Sequence, residues 1–188
     1  MLNANLDTIK TFLEALDYTS VIIPKSNDIP KDQLLIKLDP DFKSRERFLL
    51  IRTASQDLCA NDALLGIQSP VQKYQELQFI VTLPFYILDG QIPDLARLIL
   101  LINKGMEIPG FELSEVDKMI FYRHAFVVSE DHLDERILLS LVGMIEVLLE
   151  TFSEMLESVA IGTKSLQQIV EEAKKMIEIK NNQKLHIK

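Results

Sequence analysis

Hydrophobic and polar residues alternate along the first part of the chain with two periods, one helical and one extended. Five apolar residues recur at intervals of three or four positions, which is the period of a helix: Leu6, Ile9, Phe12, Leu13 and Leu16. This pattern predicts an amphipathic helix over residues 5–16. Three short apolar runs follow, divided by prolines and polar clusters: Thr19–Ile23, Gln33–Leu38 and Phe48–Thr53. Such punctuation is typical of an antiparallel meander.

The middle of the chain returns to the same two patterns after an irregular stretch. Residues 54–70 follow neither period, and we expect a loop with a short helix there. The alternation over Lys73–Leu83 predicts a fourth strand. A second helix is predicted over Pro93–Gly105, because the fixed φ of proline suits a first helical turn and glycine favours a helix end. Phe111–Ser114 and the aromatic-rich Met119–Val128 then predict a hairpin.

One long helical pattern dominates the last third of the chain. Its apolar stripe over residues 133–161 contains eight positions: Leu133, Ile137, Leu141, Ile145, Leu148, Phe152, Leu156 and Val159. Gly162 ends this helix, and the pair Ser165 and Gln168 has the spacing of a capping box for a last helix. Residues 180–188 have little apolar surface to bury, so we expect a disordered basic tail there.

These elements predict one α+β domain over residues 1–179. It consists of an antiparallel sheet packed by helices, with a long amphipathic helix and an extra C-terminal helix.

Composition and charge exclude several classes of partner. The 188 residues carry a net charge of −8, and such an acidic balance disfavours nucleic acid and anionic membranes. The single Cys59 excludes a disulfide framework. No signal-peptide pattern and no apolar run of about 20 residues is present, so we expect a cytoplasmic protein without a membrane partner.

The sequence contains no recognisable catalytic or metal-binding motif, and we expect neither a cofactor nor a metal. Gly105 and Gly110 have the spacing of a phosphate-binding loop, but the lysine and hydroxyl residue that complete such a loop are missing. The three histidines lack the spacing of a metal site. An enzyme or ligand-binding site remains the alternative where titratable residues concentrate after a predicted strand: Arg123, His124, Glu130, Asp131 and His132.

Two surfaces of the long helix are candidates for binding other proteins. Glu146, Glu150, Glu154 and Glu157 recur every three or four residues, and this spacing predicts one acidic strip facing solvent. The strip favours a protein partner with a basic segment, although a merely solvated helix face is the simpler interpretation. The helix also carries more apolar residues than a one-sided surface helix needs, and the excess favours a homodimer.

The order of motifs in the second half of the chain resembles the YbjN family, whose members resemble type III secretion chaperones in fold. Four segments between Leu95 and Gly162 carry the resemblance: Leu95-Ala-Arg-Leu98, Leu101-Ile-Asn103, Gly110-Phe-Glu-Leu113 and Ile120-Phe-Tyr-Arg-His124. The resemblance implies a type III secretion chaperone-like α+β fold. It also implies a noncatalytic protein that binds other proteins, often as a dimer.

The favoured function is therefore a noncatalytic protein-protein interaction module, either chaperone-like or a regulatory adaptor, that binds an extended or helical segment of a partner protein through sheet or helix surfaces. A small enzyme or ligand-binding protein is the first alternative, and a structural subunit of a larger assembly is the second.

Overall fold

The computed structural model describes residues 2–55, 74–108, 110–129 and 131–185. Four helices are present in these ranges: α1 (Leu6–Glu14), α2 (Ile92–Gly105), α3 (Glu135–Ala160) and α4 (Leu166–Leu185). Six strands accompany them: β1 (Ser20–Ile23), β2 (Gln33–Leu38), β3 (Arg47–Ser55), β4 (Tyr74–Thr82), β5 (Phe111–Ser114) and β6 (Met119–Ser129). The predicted α+β class is confirmed.

The strands form one sheet in the order β1-β2-β3-β4-β6-β5. The predicted antiparallel meander is confirmed, because β1 pairs with β2, β2 with β3, and β3 with β4 in antiparallel register. Strand β6 pairs antiparallel with the free side of β4. The first two residues of the loop predicted over residues 54–70 belong to β3, which ends at Ser55. The rest of that predicted loop lies outside the described residues.

Contacts within the chain divide it into two compact units, whereas the sequence predicts a single domain over residues 1–179. The first unit comprises Met1–Pro84 and Phe121–Glu150, and the second comprises Phe85–Ile120 and Thr151–Lys188. Helix α4 of the second unit continues to Leu185, past the point at residue 180 where a tail was predicted.

In the first unit, one face of the sheet is buried by helices. This inner face carries the fully buried Leu34, Ile51 and Phe79, which lie opposite one another on successive strands. Helix α1 contacts strands β1 to β3, and its Ile9 and Leu13 are fully buried. The inner face and its helices therefore form the hydrophobic core of this unit.

The start of α1 shows how local chemistry sets an element boundary. The Asn5 Oδ1 atom accepts a hydrogen bond from the backbone N–H of Thr8 at 2.8 Å. This cap satisfies one of the N–H groups that the first helical turn leaves without a partner.

In the second unit, a side chain of α2 binds the first residue of β5. The Asn103 Nδ2 atom donates to the carbonyl oxygen of Phe111 at 2.8 Å, and the Phe111 N–H donates to Asn103 Oδ1 at 3.2 Å. The Phe111 ring is 2% exposed and meets Phe152 of α3 edge to face at 5.9 Å. The Asn103 amide thus imitates a strand neighbour and fixes where the hairpin begins.

The predicted capping box at the start of α4 is confirmed. The Ser165 N–H donates to Gln168 Oε1 at 2.8 Å, and the Gln168 N–H donates to Ser165 Oγ at 3.3 Å. Gly162, which precedes it, has a φ of +71°, a left-handed conformation that glycine adopts without strain.

The predicted apolar stripe of α3 is exposed at one position, and the buried face of the helix extends beyond the stripe. Ile137 is 56% exposed, whereas its neighbour Leu138 is fully buried. Val142 and Leu149 are also fully buried, although they are not members of the predicted stripe. The apolar residues of this helix are numerous enough to allow more than one buried face, and tertiary packing selects among them.

We expect Asn103→Leu to lower the free energy of unfolding by about 1–3 kcal/mol, because it removes two hydrogen bonds to a buried backbone. Urea denaturation followed by circular dichroism measures this loss. The control Asn103→Asp keeps the acceptor for the Phe111 N–H and should lose less. Equal stability of the leucine variant and the wild type would contradict the assigned role.

Candidate protein-binding face and polar clusters

The face of the sheet opposite the core, called the outer face below, carries apolar side chains aligned across the first unit. Val21, Leu35, Leu50 and Ile80 lie opposite one another on β1, β2, β3 and β4. Val21 is 52% exposed, and the other three are half-buried. We call these four residues the outer row. Cross-strand neighbours of this kind form a continuous apolar surface.

More apolar side chains extend the outer face beyond the outer row. Phe48 of β3 is 38% exposed, and Val127 of β6 is 50% exposed. An alternating strand needs only one apolar face to bury against a core, so these positions on the second face are unusual for a purely structural role.

A chain of hydrogen bonds crosses the outer face beside the outer row. The Arg52 Nε atom donates to Gln78 Oε1 at 2.7 Å, and Gln78 Nε2 donates to Glu76 Oε1 at 2.7 Å. Arg52 and Gln78 are opposite residues of β3 and β4. Because the glutamine contacts both charged groups, it orients the guanidinium on the sheet.

A second arginine of β3, Arg47, lies on the inner face and is 3% exposed. Its Nε atom donates to the carbonyl oxygen of Asp39 at 2.7 Å, and its Nη2 atom donates to that of Pro40 at 3.3 Å. Nη2 also lies 3.7 Å from a carboxylate oxygen of Glu150 on α3. The buried guanidinium therefore holds the turn that follows β2, which is a structural role.

Tyr18 and Glu146 line an open cleft of about 430 Å³ together with Lys37 and Asp39. The Tyr18 hydroxyl donates to Glu146 Oε2 at 3.2 Å. Burial raises the pKa of the Glu146 carboxyl, and Asp39 raises it further, against the opposing effects of Tyr18 and Arg47. Burial and the Glu146 charge raise the pKa of the Tyr18 phenol.

The four predicted acidic positions of α3 do not form one solvent-facing strip, and this expectation is wrong. Glu157 is 4% exposed, and Glu146 is half-buried against Tyr18. Only Glu150 and Glu154 are exposed. The prediction failed because other parts of the protein cover the helix on more than its apolar side. The spacing of residues along a helix does not by itself determine which of them are exposed.

The structure does not bring the residues of the alternative ligand site together. Arg123 and His124 are successive residues of β6, so their side chains lie on opposite faces of the sheet. His124 is half-buried on the inner face beside Phe126, and burial lowers the pKa of its imidazole. His132 is exposed in the turn after β6. Asp131 is exposed in the same turn, and Glu130 lies outside the described residues.

The described residues contain no group of three histidine, cysteine, aspartate or glutamate side chains placed to hold a metal ion. Nor is any helix among them long and apolar enough to cross a membrane.

Comparison of the sequence with known protein families finds no matching family, and no curated protein matches the chain.

Sequence reasoning did not single out the outer face as a candidate binding surface. The available signal was the pattern of β3, where Phe48 and Leu50 are apolar at positions that alternate with the apolar Leu49 and Ile51. A strand that is apolar on both faces predicts burial on both faces or a binding surface.

We expect Arg47→Met to lower the free energy of unfolding by on the order of 2 kcal/mol, because it leaves two backbone carbonyls without their donor. Glu150→Gln should cost less than about 1 kcal/mol, since the side chain of Glu150 is 68% exposed. Urea denaturation of both variants measures the difference. Equal losses would assign the role of Arg47 to the ion pair instead.

We expect Glu146→Gln to change how stability depends on pH. The folded pKa of Glu146 is raised above the ordinary value of 4.5, so its contribution is fully present below that value. This contribution is lost as the pH rises through the folded pKa, and the glutamine variant should lack that loss. Denaturation between pH 4 and pH 7 measures both profiles, with the exposed Glu154→Gln as control. A variant profile parallel to that of the wild type would contradict the prediction.

Proposed function

We propose that this chain is a noncatalytic protein-binding module, chaperone-like or a regulatory adaptor, which binds its partner through the outer face in the cytoplasm. The observation that carries the proposal is the outer row, whose four apolar side chains are aligned in register across four strands. Apolar surface that remains accessible on a folded protein commonly marks a contact with another protein.

The composition of the outer face also fits a protein partner. Its apolar centre is accompanied by charged and amide side chains, among them Lys37, Arg52 and Gln78. A hydrophobic centre with polar surroundings is the usual anatomy of protein interfaces, in which the centre supplies affinity and the polar groups supply specificity.

The resemblance to the YbjN family and to type III secretion chaperones belongs to this proposal. Two of its segments, Leu101-Ile-Asn103 and Gly110-Phe-Glu-Leu113, meet through the hydrogen bonds between Asn103 and Phe111. Those hydrogen bonds join α2 to β5, which is a structural role for the two segments. They support a shared arrangement of elements and are independent of the binding surface.

The homodimer and the basic partner remain separate proposals. Exposed apolar residues on the first half of α3 support a homodimer, since Ile137 is 56% and Val147 is 64% exposed. A basic partner segment has weaker support, because only Glu150 and Glu154 of the acidic positions face solvent.

A photo-crosslinking amino acid tests the proposed binding face. Benzoylphenylalanine replaces Phe48, which is 38% exposed and similar in shape, or Val127, which is 50% exposed. We expect irradiation in the native cell to join both positions to the same partner protein. Val116 serves as the control, because it is apolar and 93% exposed but lies in the turn between β5 and β6.

Mass spectrometry of the crosslinked products identifies the partner. Crosslinking at Phe48 and Val127 no stronger than at Val116 would contradict the proposal. A product of twice the mass of the chain would assign the outer face to a homodimer and not to a different partner.

A further inference from the structure

Arg52 lies on the outer face beside the outer row, where it neighbours both apolar and amide side chains. Its neighbours two residues away on β3, on the same face, are Leu50 and Ala54. Its cross-strand neighbours are the neutral Gln33 on β2 and Gln78 on β4. The side chain is half-buried. A cation in these surroundings is only partly hydrated, so a carboxylate brought to it would interact more strongly than at a fully exposed site.

The bond to Gln78 occupies only one of the donors of Arg52. Its Nε–H is donated to Gln78 Oε1 at 2.7 Å, and within the described part of the chain no partner is found for its Nη groups. Two Nη atoms carry four further N–H donors, which match the two oxygens of a carboxylate. Because Gln78 already restrains the side chain, less rotational freedom is lost when a carboxylate binds.

The charge of the outer face differs in sign from that of the whole protein. Its strand positions within the first unit carry three cations, Lys37, Arg52 and Arg123, and one carboxylate, Glu76. Lys37 additionally pairs with Glu46 at 2.7 Å at the start of β3. The face is therefore slightly positive on a protein whose net charge is −8. This local positive charge favours an acidic partner segment over a basic one.

We infer that the partner of the outer face is a peptide segment in which an aspartate or glutamate is flanked by apolar residues. Its carboxylate binds the Nη groups of Arg52, and its apolar side chains pack on the outer row. This inference rests on the proposed function, since it names the chemistry of the partner at the proposed face. The partner segment inferred here is acidic, whereas the acidic positions of the long helix favour a basic one.

Selection from a random 12-residue peptide library displayed on phage, with the immobilised full-length chain as bait, tests the inference. We expect the recovered peptides to be enriched in aspartate or glutamate between apolar residues. Fluorescence anisotropy then compares their dissociation constants for the wild type, Arg52→Gln and Arg97→Gln. Arg97 is the matched control, because its side chain is 71% exposed on α2 and pairs only with Asp94 among the ion pairs of the described residues.

We expect Arg52→Gln to weaken binding about tenfold or more, since a hydrogen bond to a charged group commonly contributes that much. Arg97→Gln should leave affinity unchanged. Replacing the peptide carboxylate with its amide should weaken binding to the wild type by a similar factor and have little further effect on Arg52→Gln. Unfolding curves of the two variants verify that both are folded.

The inference is overturned if no peptide is recovered, if acidic residues are not enriched, or if Arg52→Gln binds as tightly as Arg97→Gln. A further variant, Val21→Asp, separates this failure from failure of the proposed function. Peptides that lose affinity for Val21→Asp but not for Arg52→Gln would retain the outer face and reject the carboxylate. Peptides insensitive to both substitutions would contradict the outer face itself.

Discussion

Burial of one face of the antiparallel sheet under helices is the constraint on which the described part of the first unit depends. Successive side chains of a strand lie on opposite faces, so a helix layer that covers Leu34, Ile51 and Phe79 leaves their sequence neighbours on the other face. Those neighbours include Leu35 and Leu50, which are apolar as well. The strand register that aligns the core residues therefore also aligns the outer row. A one-residue shift in strand pairing would change both surfaces at once.

Two arginines of β3 show how this constraint places chemically identical side chains in different surroundings. Arg47 is on the inner face, where backbone carbonyls of the preceding turn accept its hydrogen bonds. Arg52 is on the outer face, where a glutamine accepts a hydrogen bond from its Nε atom and, among the described residues, no partner is found for its Nη groups. The difference follows from the parity of their positions, because an odd separation along a strand places two residues on opposite faces.

Local patterns determined the elements and several of their ends. The helical spacing around Leu6 and Ile9 predicted α1, and Ser165 with Gln168 predicted the cap of α4. These features depend on neighbours a few residues away, so the sequence contains all the information they need. Exposure on α3 depends instead on distant residues. Glu146 is half-buried and accepts a hydrogen bond from Tyr18, which is 128 positions away along the chain and so lies outside any local pattern.

The sequence by itself determined the α+β class, the order of helices and strands, and the net charge of −8. Only the tertiary structure decided which face of each element is covered. It placed Arg123 and His124 on opposite faces of β6, and it aligned Arg52 with Gln78 beside the outer row. The physical reason is that secondary structure follows from periodicity within one segment. A binding surface requires side chains from several strands, and strand pairing is what brings them together.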